Sequence, residues 1–243
     1  MRRATLLGLV VALLALAGCH GGDLGSSGPT PSPGTTSRSA HVATLPLGST
    51  TRSGLDIESG VTTLEIAMAP LSGQLLTAVT PGRAGVQPSL TTDNGGIVHL
   101  TLPPATGGGG PDELVVVLNR AVTWSLFLDG GARVARLNLR DARLDVVAVQ
   151  AGLSHARVVM PQPVGTDLLR LTAGAGRLAV EVPRGVPTTL HLKGGAASVR
   201  IGAARHVGIG PPVSYRLGGY AAASNRIDIE VESGVSAVSV GQY

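Results

Sequence analysis

The chain has 243 residues, enough for one good-sized all-β domain or two small ones. Its 19 basic and 15 acidic residues give a formal charge of +4, which falls to +2 without Arg2 and Arg3, so a general nucleic-acid binder is excluded. Aromatic residues make up only 2% of the chain, too few for stacking platforms, and 35 glycines with 16 prolines favour turns over long helices.

The first 18 residues have the pattern of a secretory signal. Arg2 and Arg3 precede an apolar run over residues 4–17, which is shorter than the roughly 20 residues that a membrane span needs. The run ends in Leu-Ala-Gly-Cys at residues 16–19, which closely resembles the signal of bacterial lipoproteins. That resemblance implies cleavage before Cys19 and a diacylglycerol on its sulfur, and two acyl chains suffice for stable anchoring. The alternative is a secreted protein with a free cysteine.

A tether is predicted to follow the lipidated cysteine, over residues 19–41. Gly, Ser, Thr and Pro dominate this stretch, so it has too little apolar surface to offset the entropy of ordering. We therefore predict a folded domain over residues 42–243, held away from the membrane by the tether.

The first part of the domain is irregular. Strand-like pieces at residues 55–57, 61–67, 75–79 and 97–102 are separated by prolines and by the turn Asp-Asn-Gly-Gly at 93–96. Residues 103–111, rich in Pro and Gly, are predicted to form an exposed loop, and 113–122 to be β-rich. Residues 204–224 are also irregular.

Over residues 124–203 a glycine-centred pattern returns about every 21 residues, and two further copies lie outside this stretch. Around each glycine, the residues five and three before it and four and six after it are apolar. The same template fits all six glycines, at 24 of 24 positions, in a chain that is 43% hydrophobic. The glycines are Gly60, Gly131, Gly152, Gly174, Gly195 and Gly234.

Apolar alternation on both sides of a glycine turn indicates strand, turn, strand with one buried face. Recurrence at this period is typical of stacked coils, in which each unit covers its neighbours. The predicted fold is therefore all-β, a parallel β-solenoid of about 21-residue coils. An antiparallel sandwich or open barrel is the alternative, which the pattern alone does not separate from the solenoid.

The domain resembles the bacterial "putative adhesin" or toastrack family of envelope proteins over roughly residues 45–241. The resemblance lies in the spaced glycine turns, in the segment 180–187 leading into 190–192, and in the closing segment 227–235. It implies a β-helical envelope module that has no catalytic residues.

Residues for catalysis or metal binding are not predicted. Gly-x-Ser-x-Gly does not occur, and no two histidines share a template position, which argues against a stacked metal site. Glu230 and Glu232 alternate with apolar residues, as on the solvent face of a strand. The 93–96 segment lacks the acids of a calcium loop. We predict no catalytic residue, no metal and no cofactor.

One position of the template is unusually basic. The residue five after the glycine should point outward, and it is arginine in three units: Arg136, Arg157 and Arg200. Stacked coils would make Arg136 and Arg157 neighbours, with Arg200 two coils further on. We predict an anion-binding strip for phospholipid headgroups or acidic wall polymer. The alternative is a solvated face neutralised by acids such as Asp129 and Asp141.

The predicted function is that of a non-catalytic, lipid-anchored surface module for adhesion, protein interaction or envelope-stress sensing. Its expected partners are the membrane, through Cys19, anionic envelope material and an unidentified protein, but no nucleic acid. A polysaccharide-degrading enzyme is the first alternative, and scarce aromatics and scattered acids argue against it. A solute-binding lipoprotein is the second, and the missing helical patterns argue against it.

Overall fold

The computed structural model describes residues 39–106, 108–219 and 223–243, and in these ranges the chain contains strands and no helix. No segment there forms a helix long and apolar enough to cross a membrane. The strands in chain order are β1 (His41–Pro46), β2 (Arg52–Ile57), β3 (Val61–Ala69), β4 (Gln74–Thr80), β5 (Ser89–Thr92), β6 (Ile97–Thr101), β7 (Glu113–Asn119), β8 (Thr123–Leu128), β9 (Ala132–Asn138), β10 (Arg143–Val149), β11 (Leu153–Val159), β12 (Thr166–Leu171), β13 (Ala175–Val182), β14 (Thr188–Leu192), β15 (Ala196–Ile201), β16 (Ala204–Ile209), β17 (Val213–Leu217), β18 (Arg226–Val231) and β19 (Val235–Gln242).

These strands form two mixed sheets. Sheet A has ten strands in the order β1-β4-β7-β3-β9-β11-β13-β19-β15-β16, and sheet B has nine in the order β17-β14-β18-β12-β10-β8-β2-β6-β5. The neighbours in the middle of each sheet run parallel, for example β9-β11-β13 and β8-β10-β12. Antiparallel strands close the ends of both sheets: β1, β4 and β16 in sheet A, and β5 and β17 in sheet B.

The glycine template marks the residues that fill the space between the sheets. All of its 24 apolar positions are buried except Ile201, which is partly buried and packs against the same core. In each unit the strand before the glycine lies in sheet B and the strand after it lies in sheet A. The two sheets therefore share one apolar interior, in a sandwich-like arrangement.

The units do not stack in chain order. The unit of Gly234 (β18–β19) lies between the unit of Gly174 (β12–β13) and that of Gly195 (β14–β15). The irregular first part of the domain also contributes strands to both sheets: β6 extends sheet B beside β2, and β7 extends sheet A beside β3. The all-β prediction is thus confirmed, whereas a regular solenoid is not. The antiparallel alternative is wrong about strand direction in the middle of the sheets.

The glycine turns stack directly on one another. Val61 N–H donates to Gly131 O at 2.9 Å, and Leu153 N–H donates to Gly174 O at 3.2 Å, so the ladder of sheet A continues through the turns. A side chain is excluded where turns touch: a Cβ on Gly130 would lie 2.1 Å from Ser59 O. Glycine at this corner is therefore a packing requirement.

The irregular regions contain more strands than the sequence predicts. Strands β1, β5, β16 and β17 were not predicted, and β1 begins at His41, inside the predicted tether. The 93–96 turn is confirmed: Asp93 Oδ1 accepts from the backbone N–H groups of Gly95 and Ile97, each at 2.8 Å. The predicted loop at 103–111 is mostly exposed, but it bridges back to Ala84 and Val86.

Candidate functional site

The predicted arginine strip lies on the outer face of sheet A. Arg136 and Arg157 are register partners on β9 and β11, as expected. Each arginine has its own acid: Arg136 Nη1 lies 2.9 Å from Glu65 Oε1, and Arg157 Nη2 lies 2.7 Å from Glu181 Oε1. The acids that neutralise this part of the strip are therefore Glu65 and Glu181.

Arg200 lies further away than the sequence predicts. The register runs from Arg157 through Ala179 on β13 and Ser239 on β19 to Arg200 on β15, which is three strands rather than two. The additional strand is β19, because the unit of Gly234 is inserted there. Arg200 is thus separated from the other two predicted residues.

Arg200 instead belongs to an arginine groove, formed by Arg177 on β13, Arg200 on β15 and Arg205 on β16. The groove encloses about 230 Å³, and its floor is the small outward-facing side chains of β19, Ala237 and Ser239. Arg200 and Arg205 are register partners on adjacent strands. The three side chains therefore converge on one depression from three different strands.

The charge of the arginine groove is not neutralised by protein carboxylates. Its lining contains three arginines and no acid, with Ser198 and Ser239 as further hydrogen-bond donors. Among the described residues, no ion pair includes Arg177, Arg200 or Arg205. Guanidinium groups present several donors in a planar fork that matches carboxylate and phosphate. This geometry is suited to binding an anion.

A histidine–carboxylate cluster lies on sheet B, where β6 pairs with β2. His99 is the register partner of Asp56. His99 Nδ1 lies 2.8 Å from Glu58 Oε1 and 3.6 Å from Asp56 Oδ2, and His99 Nε2 lies 3.6 Å from Asp93 Oδ2. The hydrogen bond to Glu58 raises the pKa of His99, and the nearby carboxylate of Asp93 adds to this effect.

The pKa values of two acids in this cluster, Asp93 and Asp56, are shifted in opposite directions. The backbone N–H of Ile97 lowers the pKa of Asp93, with a smaller effect from Gly95. Burial raises the pKa of Asp56, and the nearby charges of Asp129 and Glu58 raise it further. An excess of negative charge therefore surrounds one imidazole, which favours its protonated form.

The same cluster contains ligand types suited to a metal ion. One ligand atom each from Asp56, Glu58 and His99 lies within 4.8 Å of the others. Carboxylates with an imidazole can bind a divalent cation, but here His99 and Glu58 already hydrogen-bond to each other. The absence of a metal stays a prediction.

A third polar site opens where the middle strands of sheet B begin, at the N-terminal ends of β2, β8, β10 and β12. Asp167 on β12 is 1% exposed, and among the described residues its Oδ2 has no hydrogen-bond partner. It lines a cavity of about 520 Å³, together with Asp145 and Arg143 from β10 and Arg52 from β2. Burial raises the pKa of Asp167 to about 7, and the charge of Asp145 contributes. Asp145 itself lies 3.5 Å from Arg52.

Neither His99 nor Asp167 was identified from the sequence. His99 meets its acids only because β6 pairs with β2, and no repeat predicts that pairing. The sequence does contain an indication of Asp167: this residue occupies an inward position of its strand, in the same alternation as Leu169 and Leu171. An acid in the buried phase of an alternating strand is unusual, since burying a charge is costly.

Several other expectations concern the surface acids and the N-terminal segment. Glu230 and Glu232 face outward as predicted, and both pair with Lys193, at 3.3 and 3.0 Å. Cys19, the signal segment and nearly all of the tether lie outside the described residues.

No protein-family model and no curated protein matches this sequence. Among solved structures, a putative cell adhesion protein from Clostridium sporogenes matches with a TM-score of 0.61 and 15% identity, over 84% of this chain and 99% of that one. A putative adhesin from Bacteroides fragilis matches over 84% and 98%, at 10% identity, but its TM-score of 0.31 supports no conclusion. The first match shows a shared fold.

Proposed function

We propose that this chain is a non-catalytic, lipid-anchored module of the bacterial cell surface that adheres to anionic envelope material through the arginine groove. The observation that carries the proposal is the convergence of Arg177, Arg200 and Arg205 on one depression whose lining contains no acid. Three guanidinium groups so placed repel one another unless solvent or an anion separates them. A phosphate or carboxylate relieves that repulsion and accepts their hydrogen bonds.

The fold supports the adhesive role. The solved structure that shares this fold is described as a putative cell adhesion protein, and the match covers 84% of this chain. The parallel stacking of the repeat units supports the interpretation of the body as an interrupted solenoid. Stacked repeats offer an extended surface for binding, along which a polymer can make several contacts.

The lipid anchor is the second part of the proposal. The sequence at residues 16–19 supports it, and it would place the domain outside the cytoplasmic membrane. Mass spectrometry of the mature protein should find a diacylglycerol on an N-terminal Cys19. Changing Cys19→Ser should release the protein from the membrane fraction. An unmodified thiol on Cys19 of the mature protein would refute the anchor and leave the groove untouched.

The groove is tested by a triple variant in the full-length protein: Arg177→Ser, Arg200→Ser and Arg205→Ser. The matched control is Arg136→Ser with Arg157→Ser, because these two arginines lie on the same face but are paired with glutamates. Binding is measured by co-sedimentation with purified acidic wall polymer, and with phosphatidylglycerol vesicles. Co-sedimentation with neutral phosphatidylcholine vesicles measures the binding that is due to the lipid anchor alone. This value is subtracted from the binding to phosphatidylglycerol vesicles.

We expect the triple variant to lose about tenfold or more in affinity, and the control variant to keep the affinity of the wild type. Added salt should weaken the binding of the wild type, because the contacts are exposed. The polymer and vesicle measurements distinguish the two anion sources. Equal binding by the wild type and the triple variant would refute the proposal, as would an equal loss in the control.

A further inference from the structure

The cavity at the N-terminal ends of the middle strands of sheet B is a separate site, on the other sheet from the arginine groove. We infer that it binds a small zwitterion, with the ammonium group of the ligand against Asp167 and Asp145 and its acidic group against Arg52 and Arg143. The inference is independent of the proposed adhesion, since no residue is shared between the two sites.

The first step concerns the unpaired oxygen of Asp167, Oδ2. Asp167 takes an inward position in β12, and its register partner on β18, Ile227, is fully buried. A buried carboxyl oxygen without a partner, as Asp167 Oδ2 is among the described residues, costs free energy, and a hydrophobic residue would fill this position at no such cost. A ligand cation supplies the missing partner, and Asp145 provides a second carboxylate beside it.

The second step concerns the exposed arginines. Arg52 and Arg143 line the same cavity and are solvent-exposed. They would repel a bare cation, which argues against a simple metal ion. A ligand that carries an acidic group at some distance from its ammonium group contacts both the two aspartates and the two arginines. Arg52 can keep its contact with Asp145 when such a ligand is bound. The charge pattern of the cavity thus fits a zwitterion.

The third step concerns the space between the charges. The cavity volume of about 520 Å³ is within the range of small-molecule sites. Leu144 and Val164 supply apolar surface, and Val164 is 88% exposed at the cavity. An aliphatic spacer between the two ends of the ligand would cover these side chains. Linear amino acids with a terminal amine have this composition.

The charged groups around Asp167 set the direction of the pH dependence. β10 contributes Asp145 and Arg143, and β2 contributes Arg52. On β18, the other neighbour of β12, Arg226 and Asp228 approach each other at 3.8 Å. Since the pKa of Asp167 is about 7, only a minor fraction is ionised at pH 6. An ammonium ligand therefore binds more tightly as the pH rises through 7, and its binding at lower pH releases a proton.

The experiment uses three probes of equal chain length and the full-length protein. 6-Aminohexanoate carries both charges, hexylamine only the ammonium and hexanoate only the carboxylate. Isothermal titration calorimetry measures each at about pH 6 and pH 8, in two buffers that differ in ionisation enthalpy. The variant is Asp167→Asn, which keeps the shape and removes the charge. The matched control is Glu113→Gln on β7, an exposed acid outside the cavity.

We expect 6-aminohexanoate to bind about tenfold more tightly than either single-charge probe, and about tenfold more tightly at pH 8 than at pH 6. The wild type should release protons on binding at pH 6. Asp167→Asn should bind 6-aminohexanoate about tenfold more weakly and should release no proton on binding. Glu113→Gln should keep the affinity and the proton release of the wild type. Tighter binding of hexanoate, an affinity that does not rise with pH, or unchanged binding by Asp167→Asn would each overturn the inference. None of these results bears on the arginine groove.

Discussion

Glu65 on β3 and Arg136 on β9 face each other across sheet A, with Oε1 and Nη1 2.9 Å apart. The two side chains remain 47% and 57% exposed, so water and salt screen their attraction. Their main effect is on surface charge: the pair removes Arg136 from the set of free cations and leaves the arginine groove as the basic part of this face.

This pair should contribute little to the stability of the domain. Changing Arg136→Ser should lower the free energy of unfolding by less than about 1 kcal/mol, as is usual for exposed ion pairs. Urea denaturation of the variant at low and high salt measures the effect, and the difference from the wild type should shrink with salt. A loss of several kcal/mol would mean that Arg136 has a structural role beyond this pair.

Changing Asp167→Asn should stabilise the domain at alkaline pH. The pKa of Asp167 is about 7 in the fold against 3.8 for the free group, which corresponds to roughly 4 kcal/mol when the group is ionised. The folded state binds more protons than the unfolded state between these values, so stability falls as pH rises from about 4 to about 7. The Asp167→Asn variant has no carboxyl group to ionise at this position, so it does not lose this stability.

Urea denaturation at about pH 5 and pH 8 checks this prediction. The gain from Asp167→Asn should be larger at pH 8 and reach at most about 4 kcal/mol. Glu113→Gln serves as the control and should change stability by less than about 0.5 kcal/mol, because surface substitutions usually do. Destabilisation by Asp167→Asn at pH 8 would show that the carboxylate has a favourable partner.

Changing Glu58→Gln should lower the pKa of His99. The hydrogen bond from the imidazole to Glu58 is the largest cause of its raised pKa. Protonation of His99 therefore stabilises the fold below its ordinary value of 6.5, and this contribution is lost as the pH rises through the raised pKa. Imidazole chemical shifts followed by NMR over a pH series measure the change. Asp112→Asn, outside the cluster, is the control. An unchanged titration in Glu58→Gln would refute the role of Glu58.

Changing Gly130→Ala should destabilise the stacked turns. The added methyl group would meet the backbone oxygen of Ser59, which no rotamer can avoid. We expect a loss of roughly 2–3 kcal/mol, typical of overpacking. Gly241→Ala in β19 is the control, because a Cβ there meets nothing within 4 Å. Thermal unfolding of both variants, followed by circular dichroism, tests the difference. Similar melting temperatures for the two variants would show that the turns can separate at little cost.

The interior was largely predictable from the sequence. Alternation of apolar residues around each glycine identified the buried rows. Of the template positions, Ile201 alone is not fully buried, because β15 lies beside the last strand of sheet A, near the end of the stack. Each such row is a local property: every second side chain of a strand faces the same side. The turn at residues 93–96 was predictable for the same reason, since Asp93 satisfies backbone groups only two and four residues away.

The order of the units was not predictable, because any unit with the same apolar rows can stack on any other. Nothing in the local pattern places the unit of Gly234 beside that of Gly174. The spacing of Arg200 from Arg157 depended on that order and was therefore wrong by one strand. The histidine–carboxylate cluster depends on another long-range pairing, that of β6 with β2: His99 and Glu58 are 41 residues apart in the chain.

The insertion of β18 and β19 also bears on how the protein matures. This unit of two strands, one in each sheet, is synthesised after the units on both sides of it, yet it hydrogen-bonds to both. The strand edges of its two neighbours therefore stay open until this unit has been synthesised. A chain of this design has exposed strand edges while it folds, and such edges are where a holding chaperone would act and where pairing between copies would begin.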